Sequence, residues 1–377
     1  MKFLHLSDLH LGKRLCEFSL IDDQKEVLNQ IISVVKNEKL DAVVIAGDVY
    51  DKSVPSAEAV NLFDEFLVSL LNLKVNVLVI SGNHDSAERI AFGSRIMKNA
   101  GVYLSPVYNG TVAPITFNDE FGAVNFYLLP FVKPSNVRRF YEEENINSYN
   151  DAVKVAVDKM NINTIERNVL VTHQFVTGSV RCDSEETVGG TDNVDVDVFS
   201  NFDYVALGHL HTAQKCGSDK VRYSGTPLKY SFSEVNDNKK ALIVEIKGKN
   251  TQISFKEVAL APIRDLKDIR GTFSEITSSE YLKNCAFKND YLRITLTDEN
   301  DIPNAVMRLR EHYKNVMVLR YDNARTRQNN EIDGVLGVES KSTIELFKEF
   351  FAKQNNAEMT NEQTEYVINL LDAIKED

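Results

Sequence analysis

The chain has 377 residues, 43% of them hydrophobic, with 43 Lys+Arg against 55 Asp+Glu and a formal charge of -12. This excludes collagen-like, disordered and disulfide-scaffold classes, and the length accommodates two or three domains. Taken alone, the negative charge argues against nucleic acid as a partner, because phosphates attract positive surfaces.

The first part of the chain alternates strand and helix. Lys2–Ser7 reads as a strand, and Ser19–Asn37 as a helix with Leu28, Ile31, Ile32 and Val35 on one face. Asp41–Ala46 reads as a buried strand, Ala57–Leu71 as a helix and Val75–Ser81 as a strand. Asn168–Thr172 and Asp203–Leu207 are further strands, with strand-like segments to about Val258. β-Branched runs with helices between them predict a layered α/β architecture. After Pro262 the pattern restarts: strand Asp290–Thr297, helix Ile302–His312, strand Val316–Tyr321. From Glu331 the character changes again. Ser342 with Glu345, and Thr360 with Gln363, have capping-box spacing. Two amphipathic helices follow, with Ile344, Phe347 and Phe351 on one face and Val367, Leu370, Leu371 and Ile374 on the other's. Such a pair is too small to be stable alone, so it must pack on this chain or on a partner. The expected divisions are therefore 1–262, 263–330 and 331–377.

The termini and cysteines bound the setting. The N-terminal MKFLHLSDLHLG meets charge by Asp8 and lacks a signal-peptide core. No apolar run reaches the ~18 residues of a membrane span. Cys16, Cys182, Cys216 and Cys285 are scattered, with no CxxC pair. A reduced, cytoplasmic protein with no membrane contact is expected.

The chemistry concentrates just beyond the predicted strands. Asp8-Leu9-His10 follows the first, Gly47-Asp48 the second and Gly82-Asn83-His84-Asp85 the third. His173 ends the fourth, and Gly208-His209-Leu210-His211 follows the fifth. In open α/β sheets, ligands bind outside the carboxyl ends of strands. Carboxylate, carboxamide and imidazole together suit Mn, Fe or Zn, and the lack of thiolate argues against a structural zinc site. Asp8, His10, Asp48, Asn83, His173, His209 and His211 are enough ligands for two metals sharing one carboxylate. Two ions ~3.5–4 Å apart can clamp a phosphate and activate a bridging hydroxide. A lone histidine such as His5 or His312 reads by default as structural.

These blocks together resemble the calcineurin-like metallophosphoesterase superfamily, whose pattern is DxH, GDxxD, GNHD/E, H and GHxH. The resemblance implies a layered β-sandwich flanked by helices. It implies that Asp8, His10 and His211 bind one metal, that Asn83, His173 and His209 bind the other, and that Asp48 bridges. It leaves His84 as general acid, protonating the leaving oxygen. Asp51 is placed like the carboxylate that orients this histidine, with Asp85 as the alternative.

Longer stretches narrow the family. Lys52-Ser53 after Asp51, and the GNHD block, depart from Ser/Thr phosphatases; Tyr50 stands one position early for purple acid phosphatases. SDLHLGKRL, AGDVYDKSVPS, SGNHDSAERI, VTHQFV, ALGHLHTAQ and YSGTPLKYSFSE are similar to the SbcD-type nuclease subunits. That resemblance implies a partner, the SMC-like ATPase SbcC, and a homodimer through the nuclease domain. It implies two divalent ions, with Mn²⁺ as the usual activator and Mg²⁺ or Fe as alternatives. The implied activity is 3′→5′ exonuclease on double-stranded DNA and endonuclease on single strands and hairpins, in DNA recombination, replication and repair. The small α/β unit then sits where the family caps DNA, and the helix pair where it docks on its partner. Lys13, Arg14 and Arg89 flank the metal motifs and are candidate phosphate contacts, as are Lys133, Arg138 and Arg139. A small-molecule phosphodiesterase or nucleotidase is the enzyme alternative, and a scaffold that has lost its metals the non-enzyme one. The latter typically shows missing ligands, and here all are present.

The charge distribution also bears on the partner. Residues 331–377 hold four Lys and eleven Asp/Glu, whereas residues 301–330 hold six Lys/Arg and three acids. Most of the net negative charge, -7 of -12, thus lies in the tail expected to meet a protein, and the negative sum does not exclude DNA.

Overall fold

The β-branched runs form the parallel centres of two six-stranded sheets. In the computed structural model, which describes residues 1–180, 193–323, 326, 343–355 and 358–375, the first sheet runs in the order Ser254–Ala259, Lys240–Glu245, Lys2–Leu6, Ala42–Ala46, Asn76–Ile80, Val102–Leu104. The last four strands are mutually parallel, and Lys240–Glu245 joins Lys2–Leu6 antiparallel. The second sheet runs Gln214–Cys216, Ser218–Tyr223, Tyr204–Gly208, Arg167–His173, Gly122–Leu129, Ile115–Asp119. Its four central strands are also parallel.

Side-chain alternation stacks the sheets face to face. Phe3, Val44, Ala46 and Leu78 of the first meet Phe126, Val169, Val171 and Tyr204 of the second in one buried cluster. The second sheet's other face buries Leu170, Val205 and Leu207 with Val153 and Val157 of helix Tyr149–Asp158. His5 belongs to this interior. It is fully buried, with Nδ1 2.9 Å from the Tyr204 hydroxyl and Nε2 3.0 Å from the Leu207 carbonyl, and burial lowers its pKa to about 3. It is a neutral core histidine joining the two sheets. At the opposite ends of the strands, buried Arg167 pairs with Asp119 and donates to the carbonyls of Gly122, Ile246 and Lys247. A guanidinium this deep is tolerated because partners satisfy its fork.

Two expected elements change length for local reasons. The first helix starts at Ile21, because Phe18–Ser19 pairs as a short hairpin with Arg14–Leu15. The helix expected from Ile302 covers only Ala305–Arg310, because Asn304 adopts a left-handed conformation at φ 53°. Strand Gly122–Leu129 and helix Tyr149–Asp158 join the expected set.

The chain divides into two compact units, Met1–Lys267 with Asn289–Tyr291, and Asp268–Lys288 with Leu292–Asp377. A three-stranded sheet, in the order Leu266–Gly271, Tyr291–Leu296, Asn315–Tyr321, lies in the second unit apart from Leu266, Lys267 and Tyr291. The core of this unit is built by Ile269, Ile276, Leu292, Ile294, Leu309 and Tyr313. The unit also contains the terminal helices Thr343–Asn355 and Asn361–Lys375. The capping box at Thr360 is reciprocal: its N–H donates to Gln363 Oε1 at 2.9 Å, and its hydroxyl accepts from Gln363 N–H at 3.2 Å. Ser342 and Cys182 lie outside the described residues. No helix among the described residues is long and apolar enough to cross a membrane.

Candidate metal centre

The site begins where the parallel strands run out. Asp8 N–H donates to the Gly47 carbonyl and His10 N–H to the Asp48 carbonyl, so the first two loops stay paired beyond their strands. Four residues here hold positive φ: Asp8 at 53°, His10 at 43°, Asp48 at 49° and His209 at 110°. Each such conformation costs on the order of 1–3 kcal/mol and persists where surrounding structure enforces it. Two glycines make room. A Cβ on Gly82 would lie 2.1 Å from Asp48 Oδ1, and one on Gly208 would lie 1.8 Å from the Ala46 carbonyl of the facing sheet.

All seven expected ligand residues meet at this rim. Ligand atoms of Asp8, His10 and His211 lie within 4.8 Å of one another, as do those of Asp8, Asp48 and His173. Asn83 Oδ1 stands 2.8 Å from His173 Nε2 and 3.1 Å from His209 Nδ1. Asp48 Oδ2 stands 3.4 Å from His173 Nε2 and 3.8 Å from His10 Nε2. His209 N–H donates to both oxygens of Asp8, and His84 N–H donates to Asp48 Oδ1 at 2.9 Å.

The electrostatics are those of a cation site. Burial pushes the Asp8 carboxyl up to about 6, and the nearby Asp48 charge adds to this. Burial acts the same way on Asp48, but the adjoining His173 ring outweighs it and holds Asp48 well below the usual carboxylate range. His173 is raised to about 9: desolvation opposes this, and Asp48 overcomes it. Both ring nitrogens of His10 are buried without a hydrogen-bond partner among the described residues. Orphaned buried nitrogens facing buried carboxylates fit divalent ions.

The flanking residues fall differently. His84 is exposed, and its Nδ1 lies 3.0 Å from Asp51. The contact uses the Asp51 backbone carbonyl. The carboxylate expected to orient His84 instead pairs with Lys13 Nζ at 2.7 Å, because Lys13 lies on the neighbouring loop. Asp85, the alternative, is also occupied: it accepts the N–H groups of Val49, Tyr50 and Gly82. It thereby ties the third loop to the second. Arg14 bonds to the Glu17 carbonyl, and Arg89 is exposed on the short helix Ala87–Ile90.

Comparison with known proteins assigns the family. The profile described as calcineurin-like phosphoesterase matches residues 1–213, and that of the type 5 capsule protein repressor C-terminal domain matches residues 262–355. The chain is 33% identical over 380 residues to the SbcD subunit of the nuclease SbcCD from Staphylococcus epidermidis, covering 98% of this chain and 99% of that one. The chain belongs to the SbcD family of calcineurin-like phosphoesterases. Among solved structures it is similar to a dimetal phosphatase from Danio rerio, at 13% identity and TM-score 0.40, covering 70% of this chain and 99% of that one. A Thermus thermophilus protein matches at 10% identity and TM-score 0.36, covering 68% and 98%.

The SbcD-family rim also uses residues that motif reading passes over. Gln24, buried on the first helix, donates to the His10 carbonyl at 2.7 Å and accepts from Gly12 N–H at 3.0 Å. The Tyr230 hydroxyl donates to the Leu9 carbonyl. Neither residue bears a metal-ligand signature, so only their place in the YSGTPLKYSFSE stretch (for Tyr230) hinted at a role. Together they hold the first loop in its strained path. Gly82 constrains the bridging candidate Asp48 directly, since any Cβ there meets the Asp48 side chain and N–H. Gly82→Ala should abolish high-affinity Mn²⁺ binding in calorimetry while leaving the far-ultraviolet circular dichroism spectrum unchanged, since the added methyl collides with Asp48 rather than with the core.

Proposed function

We propose that this chain is the nuclease subunit of an SbcCD-type complex, a metal-dependent hydrolase of DNA phosphodiesters acting with the ATPase SbcC. The observation that supports this most is 33% identity over nearly the full length of an SbcCD nuclease subunit, in a chain whose five strand ends converge on one ligand-rich rim. Asp8, His10 and His211 would hold one divalent ion, and Asn83, His173 and His209 the second, with Asp48 between them. Mn²⁺ is the ion we assign, in a cytoplasmic protein. The ions supply Lewis acidity toward the phosphate and an activated water.

The protein's own groups do the rest. The Asp51 carbonyl 3.0 Å away fixes the His84 proton on Nδ1, so a protonated His84 has Nε2–H to give to the leaving oxygen. The His84 N–H donates to Asp48 Oδ1, which fixes this acid beside the carboxylate that would serve both ions. Lys13 neutralises Asp51, which leaves Arg14 and Arg89 as the freer candidates for phosphate contact.

We extend the reading to the rest of the chain. The small α/β part caps the DNA, and the two terminal helices dock on SbcC. Phe347 and Leu370 of the two apolar faces remain 40% and 46% exposed, which supports a docking role. Exposed Phe92 and Ile96, with Val60 and Val68 on helix Ala57–Asn72, supply apolar surface for a homodimer through the nuclease domain.

With Mn²⁺, the chain and SbcC should cut labelled duplex, hairpin and single-stranded DNA; turnover of a small phosphodiester alone would overturn the nuclease reading. His84→Ala should retain Mn²⁺ and lose ~10²–10⁴-fold in DNA turnover; full activity would remove His84 from the mechanism. Deleting residues from Glu339 onward should abolish SbcC capture and spare single-strand cleavage, and retained capture would refute the docking assignment.

A further inference from the structure

Beside the rim, Glu234 and Lys239 form a closely built buried pair that metal coordination does not use. Glu234 is 1% exposed and Lys239 8%. Lys239 Nζ lies 2.6 Å from Glu234 Oε2 and donates to the His211 backbone carbonyl at 2.9 Å. Glu234 Oε1 lies 3.3 Å from His211 Nδ1 and accepts from Tyr230 N–H at 3.3 Å. The Thr226 hydroxyl reaches Glu234 Oε2 at 3.4 Å, and Thr226 N–H donates to the His211 carbonyl at 3.0 Å. One ion pair therefore grips His211 at both its ring and its backbone.

This grip decides which ring nitrogen is available. A carboxylate only accepts, so a neutral His211 must carry its proton on Nδ1 and leave the Nε2 lone pair for a metal. The other position is backed differently. His173 Nδ1 meets the Ala46 carbonyl at 2.9 Å, a neutral acceptor. An imidazole backed by a carboxylate is the more basic ligand.

We propose that Glu234, held by Lys239, is a positioning residue that makes the two metal positions unequal, favouring the one built by Asp8, His10 and His211. This rests on the dinuclear reading above. The favoured position fills first, and the position of Asn83, His173 and His209 fills second.

Calorimetric Mn²⁺ titration of the full chain tests this, with circular dichroism as the folding control. The wild-type chain should bind two ions with distinct affinities. E234Q keeps the shape and removes the charge; it should weaken the tighter site ~10–100-fold and leave the weaker one unchanged. Equal loss at both positions, or no loss at either, overturns the proposal. A wild-type chain that binds one ion or none overturns the dinuclear reading, and the proposal with it. A second measurement needs no variant. Ring ¹⁵N NMR of the metal-free wild-type chain at alkaline pH should show His211 protonated at Nδ1. An Nε2-protonated His211 overturns the proposal, including in the event that E234Q does not fold.

Discussion

Two buried carboxylates set the terms for this protein. Asp8 and Asp48 sit in one enclosed space with His10, His173 and His211, and none of these is solvated enough to carry charge freely. Their charges conflict: burial pushes Asp8 up to about 6, whereas Asp48 raises His173 to about 9 and is itself held low by that ring. Divalent ions remove that conflict, because buried charge is tolerated when it is paired or metal-bound. The strained loops, the glycines and the bracing side chains all follow from holding these groups together.

The sandwich is arranged to meet this demand. Register places Gly208 of one strand beside His173 of the next, so two ligand-bearing loops leave the second sheet side by side. The first sheet brings Asp8, Asp48 and Asn83 to the same end through parallel pairing. Gly208 lets the sheets approach closely at that end. Gln24 and the Glu234–Lys239 pair then brace the loops from outside. Stability and chemistry are therefore coupled at the rim and separated at the far end, where Arg167 joins the sheets without touching the site.

Much of this was legible in the residues. The runs DAVVIA and VNVLVIS read as strands because β-branched residues favour that geometry, and the ligands stood directly after them. Strand Gly122–Leu129 was not legible, because Asn125 interrupts its apolar pattern. In the fold Asn125 is buried but satisfied by Thr116, Glu166 and Asn168. The helix expected from Ile302 ran too long because periodicity does not report the left-handed Asn304. Asp51 shows a different limit. Spacing placed it beside His84, but whether backbone or side chain makes the contact depends on Lys13, which spacing cannot show.

The central claim is that five strand ends converge to hold two divalent ions. Anomalous diffraction from a Mn²⁺-loaded crystal measures this directly. Two peaks should appear ~3.5–4 Å apart, one against Asp8, His10 and His211, the other against Asn83, His173 and His209, with Asp48 touching both. A single peak, or peaks away from these residues, would contradict the account.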